Sequence, residues 1–211
     1  GIDEGLKILE KVKHMFDLPV LSDVHSVEEV KAAKDVLDVL QIPAFLCRQT
    51  DLVVEAAKTQ KPIQIKKGQF MSPWAMKNIV DKVTHFGNEN ILLCDRGVSF
   101  GYNALISDMC AIPIMQECGF PVVFDATHSV QMPPTHGKTT AGNRQFIPTL
   151  AKAAVASGCQ AVFVECHPDP ENALSDSGTV FPLNQMESLM RILNEFSRVT
   201  QKMSEEYPIT L

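Results

Sequence analysis

The sequence predicts an α/β fold of the (β/α)8 TIM-barrel type, with six of the eight strands legible in the chain. Three observations carry that expectation. Short β-branched runs alternate with amphipathic stretches, the runs are apolar at nearly every residue, and each run ends in polar or ionisable groups. Apolar runs of this length, bounded by Pro, Gly or Asn, are too short for buried helices and read as strands of a helix-covered parallel sheet.

A helical pattern at 3–15 comes first. Strands then fall at 18–24 (LPVLSDV), 36–43 (VLDVLQIP), 62–68 (PIQIKKG), 90–97 (NILLCDRG), 120–128 (FPVVFDATH) and 159–168 (CQAVFVECHP). Helices fill the intervals at 26–35, 49–60, 72–87, 104–118 and 146–157, and a long amphipathic one closes the pattern at 183–204. Ser26 followed by Glu29 reads as a capping box, and Ser72-Pro73 as a cap with proline in the first turn. A complete barrel takes about 250 residues, and this chain has 211. An open doubly wound sheet is the alternative, but no GxGxxG turn follows any of the strands.

The composition, 45% hydrophobic and 21% charged with a mean hydropathy near zero, suits one globular domain spanning 1–211. No apolar run approaches the ~20 residues of a membrane span, and no secretory leader pattern opens the sequence. The six cysteines (47, 94, 110, 118, 159, 166) form no CxxC pair and are expected as reduced, mostly core thiols of a cytoplasmic protein. A net charge of −6 without a basic stripe argues against nucleic acid.

The strand ends carry the chemistry: Asp23 and His25; Gln41; Lys66, Lys67 and Gln69; Asp95 and Arg96; Asp125 and His128; Glu165 and His167. In a (β/α)8 barrel such ends converge on one face, where active sites are built. Any strand leaving a core ends polar, so it is the repetition over six ends that points to a site. Lys66, Lys67 and Arg96, with Arg48 and Arg144 in nearby loops, place cations in an acidic protein and imply an anionic, phosphorylated substrate. Strand alternation lets only one of Lys66 and Lys67 face inward, and Lys66 is expected there, with Lys67 turned outward. His128, Glu165 and Asp176 form an imidazole–dicarboxylate set. It suits a divalent Zn, Fe or Mn ion, or alternatively a hydrogen-bonded acid/base group. Cys166 alternates against Glu165 and is expected outward, and His167 is expected either to support a neighbouring site residue or to fix its loop. His14 and His85 lie on helix surfaces, and His136 sits in a loop, 131–144, long enough to act as a lid.

Read together, LSDVH, QIPAFLCRQTDL, IKKGQFMSPW, NIVDKV, LCDRGVSFGY, VVFDATHS, AGNR and VECHPDPENALSDS resemble the 3-deoxy-D-manno-octulosonate 8-phosphate synthase family. That family is a relative of the 3-deoxy-D-arabino-heptulosonate 7-phosphate synthases, and the likeness runs from about residue 1 to about 205. It implies a homotetrameric TIM barrel that condenses phosphoenolpyruvate with arabinose 5-phosphate, with no organic cofactor, on the route to lipopolysaccharide. Lys66 and Arg96 would hold phosphoenolpyruvate, with Gln41 and Gln69 lining the pocket and Arg144 nearby. Asp23, His25 and Phe45 would shape the sugar-phosphate site, and Arg48 would reach the sugar's phosphate, in a neighbouring subunit's site. Lys66, His128, Glu165 and Asp176 would be catalytic. His128, Glu165 and Asp176 match three metal-ligand positions, the fourth ligand belonging to a first strand that precedes this sequence. Two family segments, that strand and a Lys-Ala-Asn-Arg strand after it, are not among these residues. LSDSG resembles the metal-dependent members. The other readings are the heptulosonate synthase and a catalytically incomplete barrel that serves as an oligomeric partner.

Overall fold

The computed structural model describes residues 1–102, 104–132 and 141–209. The chain forms two compact units, Gly1–Cys94 with Cys118–Phe120, and Asp95–Glu117 with Pro121–Leu211.

In the first unit helices alternate with strands: α1 (Ile2–Phe16), β1 (Leu21–Asp23), α2 (Val27–Ala33), β2 (Val39–Ile42), α3 (Thr50–Lys58), β3 (Ile63–Lys66), α4 (Lys77–Thr84) and β4 (Ile91–Asp95), whose last residue opens the second unit. β1 pairs with β2, β2 with β3 and β3 with β4, all in parallel. The pleat sorts the side chains. Leu40, Ile42, Ile63, Ile65 and Leu93 are wholly buried, as are Leu52, Val53 and Ala56 on α3. Residues between them on the strands, Gln41, Gln64 and Lys66, occupy the opposite face. α1 buries none of its residues.

The sequence between α1 and β2 is tied by Asp38. It accepts from Lys13 Nζ at 2.6 Å and from the Val20 amide at 2.9 Å. The bond from Lys13, then that from Val20, holds the Asp38 carboxyl below its ordinary pKa. A carboxyl with a lowered folded-state pKa stabilises the fold above its unfolded value and loses that contribution as pH falls through the folded one. Asp38→Asn is therefore expected to cost about 1 kcal/mol at pH 7 in urea unfolding. The gap to wild type should shrink below about pH 4, the range in which an unfolded Asp protonates.

In the second unit lie β5 (Val98–Ser99), β6 (Leu105–Ile106), α5 (Ala111–Gln116), β7 (Val122–Asp125), β8 (Gln131–Met132), β9 (Ala141–Gly142), α6 (Ile147–Ala156), β10 (Ala161–Phe163), β11 (Cys166–His167), β12 (Phe181–Pro182) and α7 (Met186–Glu206). β7 and β10 are parallel, with Asp125 opposite Phe163. β5–β6 and β8–β9 are antiparallel hairpins, and β11–β12 is a short parallel pair.

Several expectations are corrected. The helix expected at 104–118 is confined to α5, because Leu105–Ile106 pairs with Val98–Ser99 instead. The last long strand stops at Phe163. Beyond it the Glu165 amide bonds to Thr127 Oγ1, and the Glu165 carbonyl accepts from Phe181, so the backbone leaves β7 for β12. The capping box closes differently. Ser26 does cap Glu29, but the Glu29 carboxylate accepts from the His25 amide. Of the six cysteines, all free thiols, only Cys47 and Cys94 are buried, while Cys110 and Cys166 are exposed. Burial pushes the Cys47 thiol up, and the half-buried Cys159 thiol to about 11, so neither is an activated nucleophile. His136 and most of the expected lid lie outside the described residues.

Candidate active site

On the polar face of the first unit, neighbouring strands build a ladder. Asp23, Gln41 and Gln64 stand side by side in register on β1, β2 and β3. Gln64 Nε2 donates to Gln41 Oε1 at 2.6 Å, and Gln41 Nε2 donates to Asp23 Oδ1 at 2.7 Å. A carboxylate only accepts, so Asp23 sets the amide orientation of both glutamines in turn. Gln41 and Gln64 are buried, and Asp23 lies at the open end.

The end of β3 buries both lysines. Lys66 is 7% exposed, but Lys67 is wholly buried, with Nζ 3.5 Å from the Met71 carbonyl. The Lys67 amide still donates to the Cys94 carbonyl of β4 at 2.7 Å, so the ladder continues through it and the period of two sends Lys66 and Lys67 to opposite faces, both of them covered. Gln69 Oε1 is buried without a hydrogen-bond partner among the described residues. His25 is exposed and lies 3.2 Å from Glu29 through Nδ1. Arg48 is also exposed, and Phe45 is 77% exposed.

The second unit holds the imidazole–dicarboxylate set. His128, Glu165 and Asp176 each offer a ligand atom, and these atoms all lie within 4.8 Å of one another. His128 begins one turn of 3-10 helix directly after β7, Glu165 lies just past β10, and Asp176 stands in the loop before β12. Strand ends thus deliver two of the three. His128 Nδ1 is 2.7 Å from the wholly buried Asp125, and Nε2 is 3.4 Å from Glu165 Oε2. Asp125 also accepts from the His128 amide and the Thr127 hydroxyl, so its position is fixed. A carboxylate held against Nδ1 selects the tautomer that leaves Nε2 as the ligand atom.

Asp176 has a positive φ of 49°, a left-handed conformation that Asp tolerates better than most residues. Its carbonyl accepts from the amides of Thr179 and Val180, which anchors the turn. Gly142 on β9 lies against this turn. A Cβ there would come within 2.1 Å of Thr179 Cγ2 and 3.1 Å of the Gly178 carbonyl, so only glycine permits the approach. Arg144 holds the same loop through Glu171 at 2.9 Å and the Ser177 carbonyl. Arg96, 5% exposed, donates to Gln131 Oε1, and Gln131 Nε2 donates to Asp176 Oδ1 at 2.6 Å. His167 fixes its loop as expected, with Nδ1 3.0 Å from the Asp169 amide.

The donor set fits a divalent ion. An imidazole nitrogen and carboxylate oxygens bind Zn²⁺ at about 2.0–2.2 Å, which places ligand atoms roughly 3.4 Å apart around a tetrahedral ion. The His128–Glu165 separation already has that value. Sequence reasoning passed over Gln64, Thr127 and Gln131, and named Asp125 only as a strand end without a role. Gln64 was visible in the alternation Ile63-Gln64-Ile65-Lys66, and Asp125 in its place three residues before His128. Gln131 carried no local signal.

Known proteins share this chain along nearly all its length. The profile described as "DAHP synthetase I family" matches residues 1–202. A 2-dehydro-3-deoxyphosphooctonate aldolase of Trichlorobacter lovleyi is 55% identical over 201 residues, covering 95% of this chain and 74% of the relative. The proteins of the same name from Acidithiobacillus ferrooxidans and Caulobacter vibrioides are each 52% identical. They cover 99% and 95% of this chain and 75% and 70% of their own lengths.

Proposed function

The chain belongs to the DAHP synthetase I family, and on that premise we propose that it condenses phosphoenolpyruvate with D-arabinose 5-phosphate and water. The products are 3-deoxy-D-manno-octulosonate 8-phosphate and inorganic phosphate, on the route to lipopolysaccharide. The relatives' name specifies a phosphorylated octonate, an eight-carbon acid. A three-carbon enol phosphate needs a five-carbon sugar to reach that length, whereas the heptulosonate reaction uses a four-carbon one. The observation that carries the reading is the cluster of His128, Glu165 and Asp176, tied through Gln131 to the buried cation Arg96.

Carbon 3 of the enol phosphate bonds to the aldehyde carbon, and the aldehyde oxygen takes up a proton. Water adds at carbon 2, and the resulting tetrahedral intermediate expels phosphate by C–O cleavage. Lys66 and Arg96 offset the charge of phosphoenolpyruvate. Gln69, with its unpartnered Oε1, receives a donor such as a sugar hydroxyl. Asp23, at the end of the glutamine ladder, is the acceptor on the sugar side, with His25 two residues on and Phe45 following β2. His128, Glu165 and Asp176 would hold a divalent ion, which would supply Lewis acidity at this site. Glu165 accepts the proton released as water adds at carbon 2, and Asp125 keeps His128 Nε2 directed at Glu165.

The reading extends to a closed (β/α)8 barrel in a single catalytic domain, assembled as a cytoplasmic homotetramer. No described helix is long and apolar enough to cross a membrane. Exposed Phe45, Phe70 and Trp74, at 77%, 61% and 64%, supply apolar surface for a neighbouring subunit, and Arg48 on the same unit is the group for that subunit's sugar phosphate. Arg144, engaged with Glu171 and Ser177, acts on substrate by shaping the Asp176 loop.

Phosphate release with phosphoenolpyruvate tests the reading. Arabinose 5-phosphate is expected to support turnover at least ~100-fold faster than erythrose 4-phosphate, since a site that bonds a substrate hydroxyl rejects an analogue lacking it. The reverse preference would assign the heptulosonate reaction, and no turnover with either sugar would favour an incomplete barrel.

A further inference from the structure

Gln131 lies between two groups that the proposed reaction uses separately. Arg96 Nη2 donates to Gln131 Oε1, and Gln131 Nε2 donates to Asp176 Oδ1 at 2.6 Å. Guanidinium groups only donate and ionised carboxylates only accept. The amide therefore has one orientation that satisfies both neighbours. The three groups lie 35 and 45 residues apart in sequence; Arg96 is 5% exposed, and Gln131 and Asp176 are half-buried.

Hydrogen bonds in series polarise one another, more strongly where the dielectric is low. Donation from Arg96 draws electron density from Gln131 Oε1 and makes the Nε2–H a stronger donor. That in turn withdraws density from the Asp176 carboxylate and weakens it as a ligand. An anion placed on Arg96 absorbs part of the guanidinium's positive field and competes with Gln131 for its N–H groups. Either effect returns density to Asp176.

We propose that Gln131 is a positioning residue that couples anion binding at Arg96 to metal binding at Asp176, so that phosphoenolpyruvate and the divalent ion each tighten the other's binding. The inference rests on the condensation reading for the identity of the anion, and on the Arg96–Gln131–Asp176 bonds for the coupling. Its consequence for the reaction is order: the metal centre reaches full strength once the enol phosphate is seated.

The test is calorimetric titration of Co²⁺ into metal-stripped protein, with and without phosphoenolpyruvate, alongside the visible absorption of bound Co²⁺. In the wild type, phosphoenolpyruvate is expected to lower the Co²⁺ Kd by about 5-fold or more, the range of typical coupling between sites. It should also shift the absorption band, because the Asp176 donor strength changes. By reciprocity Co²⁺ lowers the phosphoenolpyruvate Kd by the same factor. In Gln131→Met, of similar length but without the hydrogen bonds, the coupling should fall to within about 2-fold while phosphoenolpyruvate still binds. Gln131→Leu likewise removes both hydrogen bonds. It should lose the coupling too, and it replaces Gln131→Met if that variant does not fold. A Co²⁺ Kd indifferent to phosphoenolpyruvate in the wild type overturns the coupling and leaves the condensation reading standing. So does undiminished coupling in the variants. Coupling as described in a protein that forms no octulosonate phosphate supports Gln131 and overturns the condensation reading instead. Failure of stripped protein to bind Co²⁺ at all overturns the coupling together with the metal assignment.

Discussion

Stripping divalent metal with a chelator should lower phosphate release from phosphoenolpyruvate and arabinose 5-phosphate by about 100-fold or more, and Zn²⁺, Mn²⁺ or Fe²⁺ should restore it. The magnitude follows from charge. Lewis-acid stabilisation of a developing oxyanion contributes several kcal/mol, and each 1.4 kcal/mol, approximately, is a factor of ten in rate. The protein side is prepared for such an ion, with Asp125 fixing the His128 ring and Gln131 fixing one oxygen of Asp176. His128→Ala should mimic chelation and resist rescue by added metal. Full activity in chelated, demonstrably metal-free protein would remove the metal assignment for His128, Glu165 and Asp176. An acid/base role for the same three groups would then explain their proximity.

Arg96→Ala is expected to reduce kcat/KM for phosphoenolpyruvate by about 100- to 1,000-fold, the effect of deleting a charge-assisted, fork-shaped donor from a buried anion site. Its cost in stability should be smaller, about 1–3 kcal/mol, because the change leaves Gln131 Oε1 without its donor. Measuring kinetics and urea unfolding on the same preparation separates the two. Unchanged kinetic constants in a folded variant would overturn the assignment of Arg96 to the anion. Arg96→Lys keeps the charge but not the fork and should fall between wild type and Ala.

The strands were legible because their cores are continuous apolar runs: β2, β3, β4 and β7 each fall inside a segment read from sequence. The interior boundaries were less so. Nothing in Phe163-Val164-Glu165 announces that the backbone exchanges one neighbour for another, since that switch depends on Thr127 and Phe181. The antiparallel pairing of Val98–Ser99 with Leu105–Ile106 was hidden for the same reason, two residues a side being too few to show a period.

For the site the division is similar. Family and reaction class were legible through the resemblance of stretches such as QIPAFLCRQTDL and VECHPDPENALSDS, which also singled out Asp176, while His128 and Glu165 stood out by their places after strands. Which groups orient them was decided by the tertiary structure. Lys67 was expected to turn away from Lys66, and the structure adds that both are buried. Gln64 became meaningful only when register set it beside Gln41. Gln131 joins Arg96 to Asp176 across 35 and 45 residues of chain, and no sequence period reaches that far. Local chemistry is written residue by residue, whereas partnership between distant side chains exists only once backbone pairing has brought them within hydrogen-bonding distance.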